Sequence, residues 1–129
     1  MHLDDRIAIL DLINTHGHLV DAGERFDELF TTDVTYDVTD LGGGVIVGCA
    51  SLWDAALALG DNNPIAHHVT NIVLTEVSPD EVTARSKGLG VMANGTCGSV
   101  TYEDTVVRTS DGWRIRHRTV LARRRPLGR

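Results

Sequence analysis

Asp21 and His67 are the residues of this sequence whose types and settings fit proton chemistry. Asp21 closes the amphipathic run Asp11-Leu12-Ile13-Asn14-Thr15-His16-Gly17-His18-Leu19-Val20-Asp21. His67 opens His67-His68-Val69-Thr70-Asn71-Ile72-Val73, which reads as the start of a strand. An imidazole beside a carboxylate removes protons at neutral pH, because the carboxylate fixes the ring tautomer and stabilises the imidazolium that forms. The two lie 46 positions apart, so only a fold can bring them together.

Further polar residues could serve the same pocket. Asn14, His18 and Tyr36 are candidate hydrogen-bonding groups at its rim, each with an ordinary structural role as the alternative. His117 shares a strand face with Trp113, Ile115 and Thr119, which makes it either a pocket residue or a satisfied core histidine. Strand alternation sends Arg118 to the face opposite His117, and His68 to the face opposite His67.

Composition narrows the classes. The chain has 129 residues, 42% of them apolar, and a formal charge of −6. That is one domain, 1–129, with one core, and its charge argues against a general nucleic-acid binder. No run approaches the ~18 apolar residues that a membrane span needs. Met1-His2-Leu3-Asp4-Asp5-Arg6 lacks the apolar core of a secretory signal, so the expected compartment is the cytoplasm.

Cys49 and Cys97 have no metal-ligand spacing and read as free thiols. His16 and His18, two apart on a helix, cannot converge on one ion. Gly42-Gly43-Gly44 sits between strands rather than opening a helix, unlike a phosphate loop. No metal and no cofactor are expected. The C-terminal arginines, Arg114, Arg116, Arg118, Arg123, Arg124 and Arg125, read as a solvated strand face running into a frayed tail.

The elements that must position the pair follow from periodicity. Ile7, Leu10, Ile13 and Leu19 recur at helical spacing between about Asp4 and Val20, and Asp4 and Asp5 suit a helix N-terminus. From Leu10 the i+3/i+4 steps reach Asn14, Gly17 and Asp21, so the stripe turns polar at its C-terminal end. A short helix is expected from Arg25 to Phe30, then strands at Asp33–Val38 and Val45–Val47. A helix over Leu52–Leu59, capped by Ser51, follows. Four long strands complete the chain: Ala66–Val77, Glu81–Asn94, Ser99–Thr109 and Trp113–Leu121, with turns between them. Gly88 and Gly90 inside one strand point to a bulge or sharp curvature. Helices on one face of a curved sheet give an α+β cone with an interior pocket.

In the order and spacing of these segments the chain resembles the SnoaL-like branch of the NTF2-like superfamily. The matching pieces are Asp5-Arg6-Ile7-Ala8-Ile9-Leu10-Asp11-Leu12, Asp21-Ala22-Gly23 leading into Phe26-Asp27-Glu28-Leu29-Phe30, and Asp33-Val34-Thr35-Tyr36. They continue with His67-x-x-Thr70-Asn71 and Asp111-Gly112-Trp113-Arg114-Ile115-x-His117-Arg118. The resemblance implies an NTF2-like cone: a curved, mostly antiparallel sheet wrapped around an N-terminal helix, with two further short helices, enclosing a pocket. Within the superfamily the pattern is most similar to scytalone dehydratase and hexachlorocyclohexane dehydrochlorinase, whose Asp and His form a catalytic dyad at the positions matching Asp21 and His67. The dehydrochlorinase resemblance also implies a basic pocket residue at Arg118 and a polar one near His16. The water-holding tyrosine pair of the scytalone enzyme has no clear double match, since only Tyr36 and Tyr102 are present.

The implied activity is that of a cofactor-independent lyase or isomerase on a small apolar or polycyclic substrate. The implied assembly is a homodimer or homotrimer. Two alternatives remain: a SnoaL-type polyketide cyclase, for which Asp104 is the one attractive carboxylate, and a non-catalytic ligand-binding or assembly module.

Overall fold

The computed structural model describes residues 1–128. Helix α1 spans Leu3–Ala22, strand β1 Phe30–Asp37, β2 Val45–Val47 and helix α2 Cys49–Leu59. Strands β3 (Ala66–Ser78), β4 (Glu81–Val91), β5 (Cys97–Thr109) and β6 (Gly112–Ala122) follow. All six strands form one sheet in the order β2-β1-β6-β5-β4-β3. Its neighbours are antiparallel except β1 and β6, which run parallel, so the sheet is mixed.

The helix α1 forms where sequence favours it. Asp4 and Asp5 occupy its first turn, where the macrodipole stabilises negative charge. Asp5 also receives two hydrogen bonds from the Arg108 guanidinium, both 3.0 Å, and one from Trp113 Nε1 at 3.2 Å. This pins the N-terminal end of α1 across the far end of β5 and β6. At the other end Gly23 adopts φ 65° and closes the helix, with Glu24 N–H bonded back to the Leu19 carbonyl.

The face that α1 buries carries Ile9, Leu12, Ile13, His16, Gly17 and Leu19. Ile9, Leu12, Ile13 and Leu19 meet Val34, Val82, Ala84, Val106, Trp113 and Ile115 from the sheet in one apolar core. Gly17 sets the distance of closest approach. A Cβ there would sit 2.6 Å from the His67 carbonyl oxygen, so only glycine lets α1 lie this near β3. Gly17→Ala should therefore lower stability by about 1–3 kcal/mol through overpacking, despite alanine's helix propensity. Thermal unfolding checks this, and an unchanged or higher Tm would contradict the close approach.

Two bulges decide which side chains face inward. In β3 the register with β4 slips between Thr70 and Val73, where Asn71 takes φ 57°. In β6 the partner of Thr105 is His117 while the partner of Val106 is Ile115, which leaves Arg116 as an extra residue. A bulge of this kind reverses the alternation beyond it and sharpens the local bend. Trp113 and Ile115 are thus buried before it, and Arg118 and Val120 after it.

Three local expectations are corrected. The predicted helix over Arg25–Phe30 is a single 3-10 turn, Phe26–Glu28, because Arg25 is left-handed at φ 55° and Phe30 already belongs to β1. Ser51 caps nothing: α2 starts two residues earlier at Cys49, behind Gly48 at φ 95°. Strand β4 ends at Val91, since Met92 and Gly95 close the turn by backbone hydrogen bonds. No helix among the described residues is long and apolar enough to cross a membrane.

Candidate active site

Between α1, α2 and the concave side of the sheet lies a cavity of about 510 Å³, within the ordinary range for a small-molecule site. Its walls are mostly apolar, with Val20, Phe26, Phe30, Leu52 and Val120 among them. Tyr36, Tyr102, His16 and His67 supply polar surface.

The last turn of α1 and the start of β3 bring Asp21 and His67 together. Asp21 follows Gly17 by four residues on one helix face, so the contact that Gly17 permits carries Asp21 to the strand. His67 Nδ1 lies 2.7 Å from Asp21 Oδ1, and the His67 backbone N–H donates to Oδ2 at 3.2 Å. The carboxylate thus grips both ring and backbone and fixes the imidazole's orientation. With Nδ1 turned to Asp21, Nε2 is the ring atom left for the cavity that His67 lines. The His67 side chain is 18% exposed and that of Asp21 30%, so the pair sits at the edge of the cavity with Asp21 on its outer side.

Beneath the cavity lies a second polar group, fully buried. Arg118 donates from Nε and Nη2 to the two oxygens of Asp104, at 2.7 and 2.8 Å. Both side chains have no solvent exposure. Burial disfavours the guanidinium's charge, but the Asp104 carboxylate outweighs it and holds Arg118 above its ordinary pKa. From Nη1 Arg118 also donates to His16 Nε2 at 2.7 Å. An arginine has no acceptor, so His16 must present a lone pair at Nε2 and carry its proton on Nδ1. Burial, reinforced by the Arg118 charge, pushes the His16 pKa well below the usual value. His16 Nδ1 and the Ser86 hydroxyl are buried without a partner.

That depressed value has a consequence for stability. The unfolded chain protonates its histidines near 6.5, whereas folded His16 stays neutral there. The unfolded state therefore binds more protons once pH falls below about 6.5, and stability drops with it. One such group gives a limiting slope of about 1.4 kcal/mol per pH unit. Between pH 7.5 and 5.5, a window centred on 6.5, the slope in His16→Gln should be shallower by about half that amount, ~0.7 kcal/mol per pH unit on average, measured by urea unfolding; equal slopes would contradict a neutral His16.

Both tyrosines flank this group. Tyr36 of β1 pairs with Arg118 of β6 in register, and the Arg118 guanidinium stacks over the Tyr102 ring at 4.0 Å. The Tyr102 ring lies across Gly88 of β4, where any Cβ would overlap it. Burial raises the Tyr36 pKa, opposed in part by Arg118. Burial likewise pushes Tyr102 up to about 12. Both hydroxyls are therefore protonated donors at neutral pH.

The structure separates the remaining candidates. Arg118 points inward, as the resemblance implied, but its head group lies under the tyrosines rather than on the cavity surface. His117 is on the outer face, bonded to Thr35 Oγ1 and Thr119 Oγ1. The Arg116 bulge reverses the phase that would have put it beside Ile115. Asn14 and His18 are exposed on the solvent side of α1. The inward stripe runs through Ile13, His16, Gly17 and Val20, one step round the helix from the stripe traced through Leu10 and Asn14. Asp104 is held by Arg118 and is not a free carboxylate. Tyr102 joins Tyr36 at the cavity, a pairing that two isolated tyrosines in the sequence did not reveal; its signal is that it shares strand parity with buried Asp104.

A model of the SnoaL-like domain matches residues 1–119. The chain belongs to the SnoaL-like family. No curated protein matches this SnoaL-like chain. Solved structures do. An NTF2-like protein with a cystatin-like fold from Novosphingobium aromaticivorans is 31% identical, over 98% of this chain and 86% of its own, with a TM-score of 0.77. A protein of the same organism provisionally named an aromatic ring hydroxylase is 28% identical, over 97% and 93%, with a TM-score of 0.80. Another, provisionally named a scytalone dehydratase, is 21% identical over 98% and 95%, at a TM-score of 0.77, a likeness of fold.

Proposed function

We propose that this SnoaL-like protein is a cofactor-independent lyase or isomerase, dehydratase-like, that uses His67 as a general base. The observation that carries the reading is the 2.7 Å contact between His67 Nδ1 and Asp21 on the wall of an apolar cavity. A substrate carbon next to a carbonyl gives its proton to His67 Nε2, and the C–H electron pair moves into an enolate. Asp21 holds the imidazolium that results. The neutral hydroxyls of Tyr36 and Tyr102 donate hydrogen bonds to the enolate oxygen, and low dielectric makes such donors effective. Arg118 beneath them adds a fixed positive charge. In elimination the enolate electrons expel a β-hydroxyl, which takes the proton back from His67 and leaves as water. In isomerisation the proton returns to another carbon.

The cyclase reading needs Asp104 as an acid or base, and the bidentate bond to Arg118 speaks against it. Incubating the protein in D₂O with a panel of β-hydroxy-ketones and cyclic enones tests the proposal. Deuterium beside the carbonyl, or loss of water, is the expected result. Calorimetric binding of panel members without exchange or elimination would replace the lyase with a non-catalytic binding module.

A further inference from the structure

Among the described residues lining the cavity, Arg123 is the one with a permanent charge. It follows the last residue of β6, and its backbone N–H bonds to the Ser99 carbonyl of β5. Among the described residues its guanidinium makes one hydrogen bond, from Nη2 to the Arg125 carbonyl at 3.1 Å. Among the described residues no carboxylate pairs with it. Asp40, the acid beside this segment, is occupied by Arg124 Nη1 at 3.1 Å and the Ala122 N–H at 2.8 Å. An unpaired arginine at the edge of an apolar cavity is therefore a ready partner for a ligand anion, in a protein whose net charge of −6 would otherwise repel one.

The sheet register says where that anion would lie relative to the base. His67 pairs with Gly90, and Gly90 with Gly98. Arg123 bonds to Ser99, the next residue of β5. His67 thus shares a row with Gly90 and Gly98, and Arg123 stands at the neighbouring row, beside Ser99, three strand spacings from β3, about 14 Å along the sheet. Between them the row is floored by Gly90 and Gly98, which put no side chain in the way.

We infer that Arg123 selects substrates with an apolar body and a carboxylate at the end remote from the reacting carbon. The reading rests on the cavity being the substrate site of the proposed lyase. A carboxylate matches the planar guanidinium with two parallel hydrogen bonds. The phosphates of a coenzyme A thioester are a second source of the same anionic chemistry, and the test separates the two.

Titrating 4-(2-naphthyl)butanoate, its methyl ester and its coenzyme A thioester into the protein by calorimetry tests this. The acid should bind about tenfold more tightly than the ester, a difference of about 1.4 kcal/mol. Arg123→Gln should bring the acid down to the ester's affinity and leave the ester unchanged, while Arg123→Lys keeps part of the preference. The thioester should gain nothing over the ester. A thioester that binds tighter than the acid, and loses this in Arg123→Gln, would overturn the carboxylate in favour of phosphate. Equal binding of acid and ester, no acid binding, or a preference that survives Arg123→Gln would overturn the inference. The same series in His67→Ala separates it from the catalytic reading, since charge preference needs no proton transfer and should persist there.

Discussion

Asp104→Asn is expected to cost about 3–5 kcal/mol of folding stability, a large share of the 5–15 kcal/mol typical of a domain. The reason is the state of Arg118. Its guanidinium has no contact with solvent, and among the described residues Asp104 is its one ion-pair partner, so removing the carboxylate leaves a charge stranded in the core. Charges buried in this way cost far more when unpaired than their pairing gains. The double change Asp104→Leu with Arg118→Met should recover most of the loss, because it removes both charges and keeps the volume. Urea unfolding of the single and double variants reads the effect. A single variant within 1 kcal/mol of the wild type would mean that water reaches Arg118. The double variant should still lose activity, since the tyrosines and His16 depend on Arg118 for their setting.

His67→Ala should lower the rate of deuterium uptake or elimination by about 10²–10⁴, the usual contribution of a positioned base. Its fold should survive, because the ring is at the cavity edge and not in the core. Asp21→Asn should be slower than the wild type too. Asparagine can present its amide oxygen to Nδ1–H but lacks the charge that stabilises imidazolium, so binding is kept and turnover drops. A His67→Ala protein with wild-type turnover would move the base elsewhere in the cavity.

Much of this arrangement was legible in the sequence. The i+4 step from Gly17 to Asp21, and the placement of His67 at a strand start, needed only helical and strand periodicity. The order of elements carried the cone. What the sequence concealed were changes of phase. One extra residue, Arg116, puts His117 outside and Arg118 inside, and nothing in Trp113-Arg114-Ile115-Arg116-His117-Arg118 marks it. The inner face of α1 lies one position from the stripe through Leu10 and Asn14, which puts Asn14 and His18 in solvent and His16 in the core. Polar side chains at Asn14 and His16 give no apolar signal to tell the faces apart. Arg123 looked like part of a frayed tail, and only the Ser99 bond shows that the chain is still paired at the cavity edge.

A base at His67 requires Asp21 to hold the ring as the Nδ1–H tautomer, with the Nε2 lone pair free for a substrate proton. A ¹⁵N NMR spectrum of the imidazoles at pH 7.5, with His67 assigned by comparison with His67→Ala, measures this directly. A protonated Nδ1 and an unprotonated Nε2 are expected at His67, with a change of tautomer population in Asp21→Asn. A proton on Nε2 and none on Nδ1 would rule out His67 as the base.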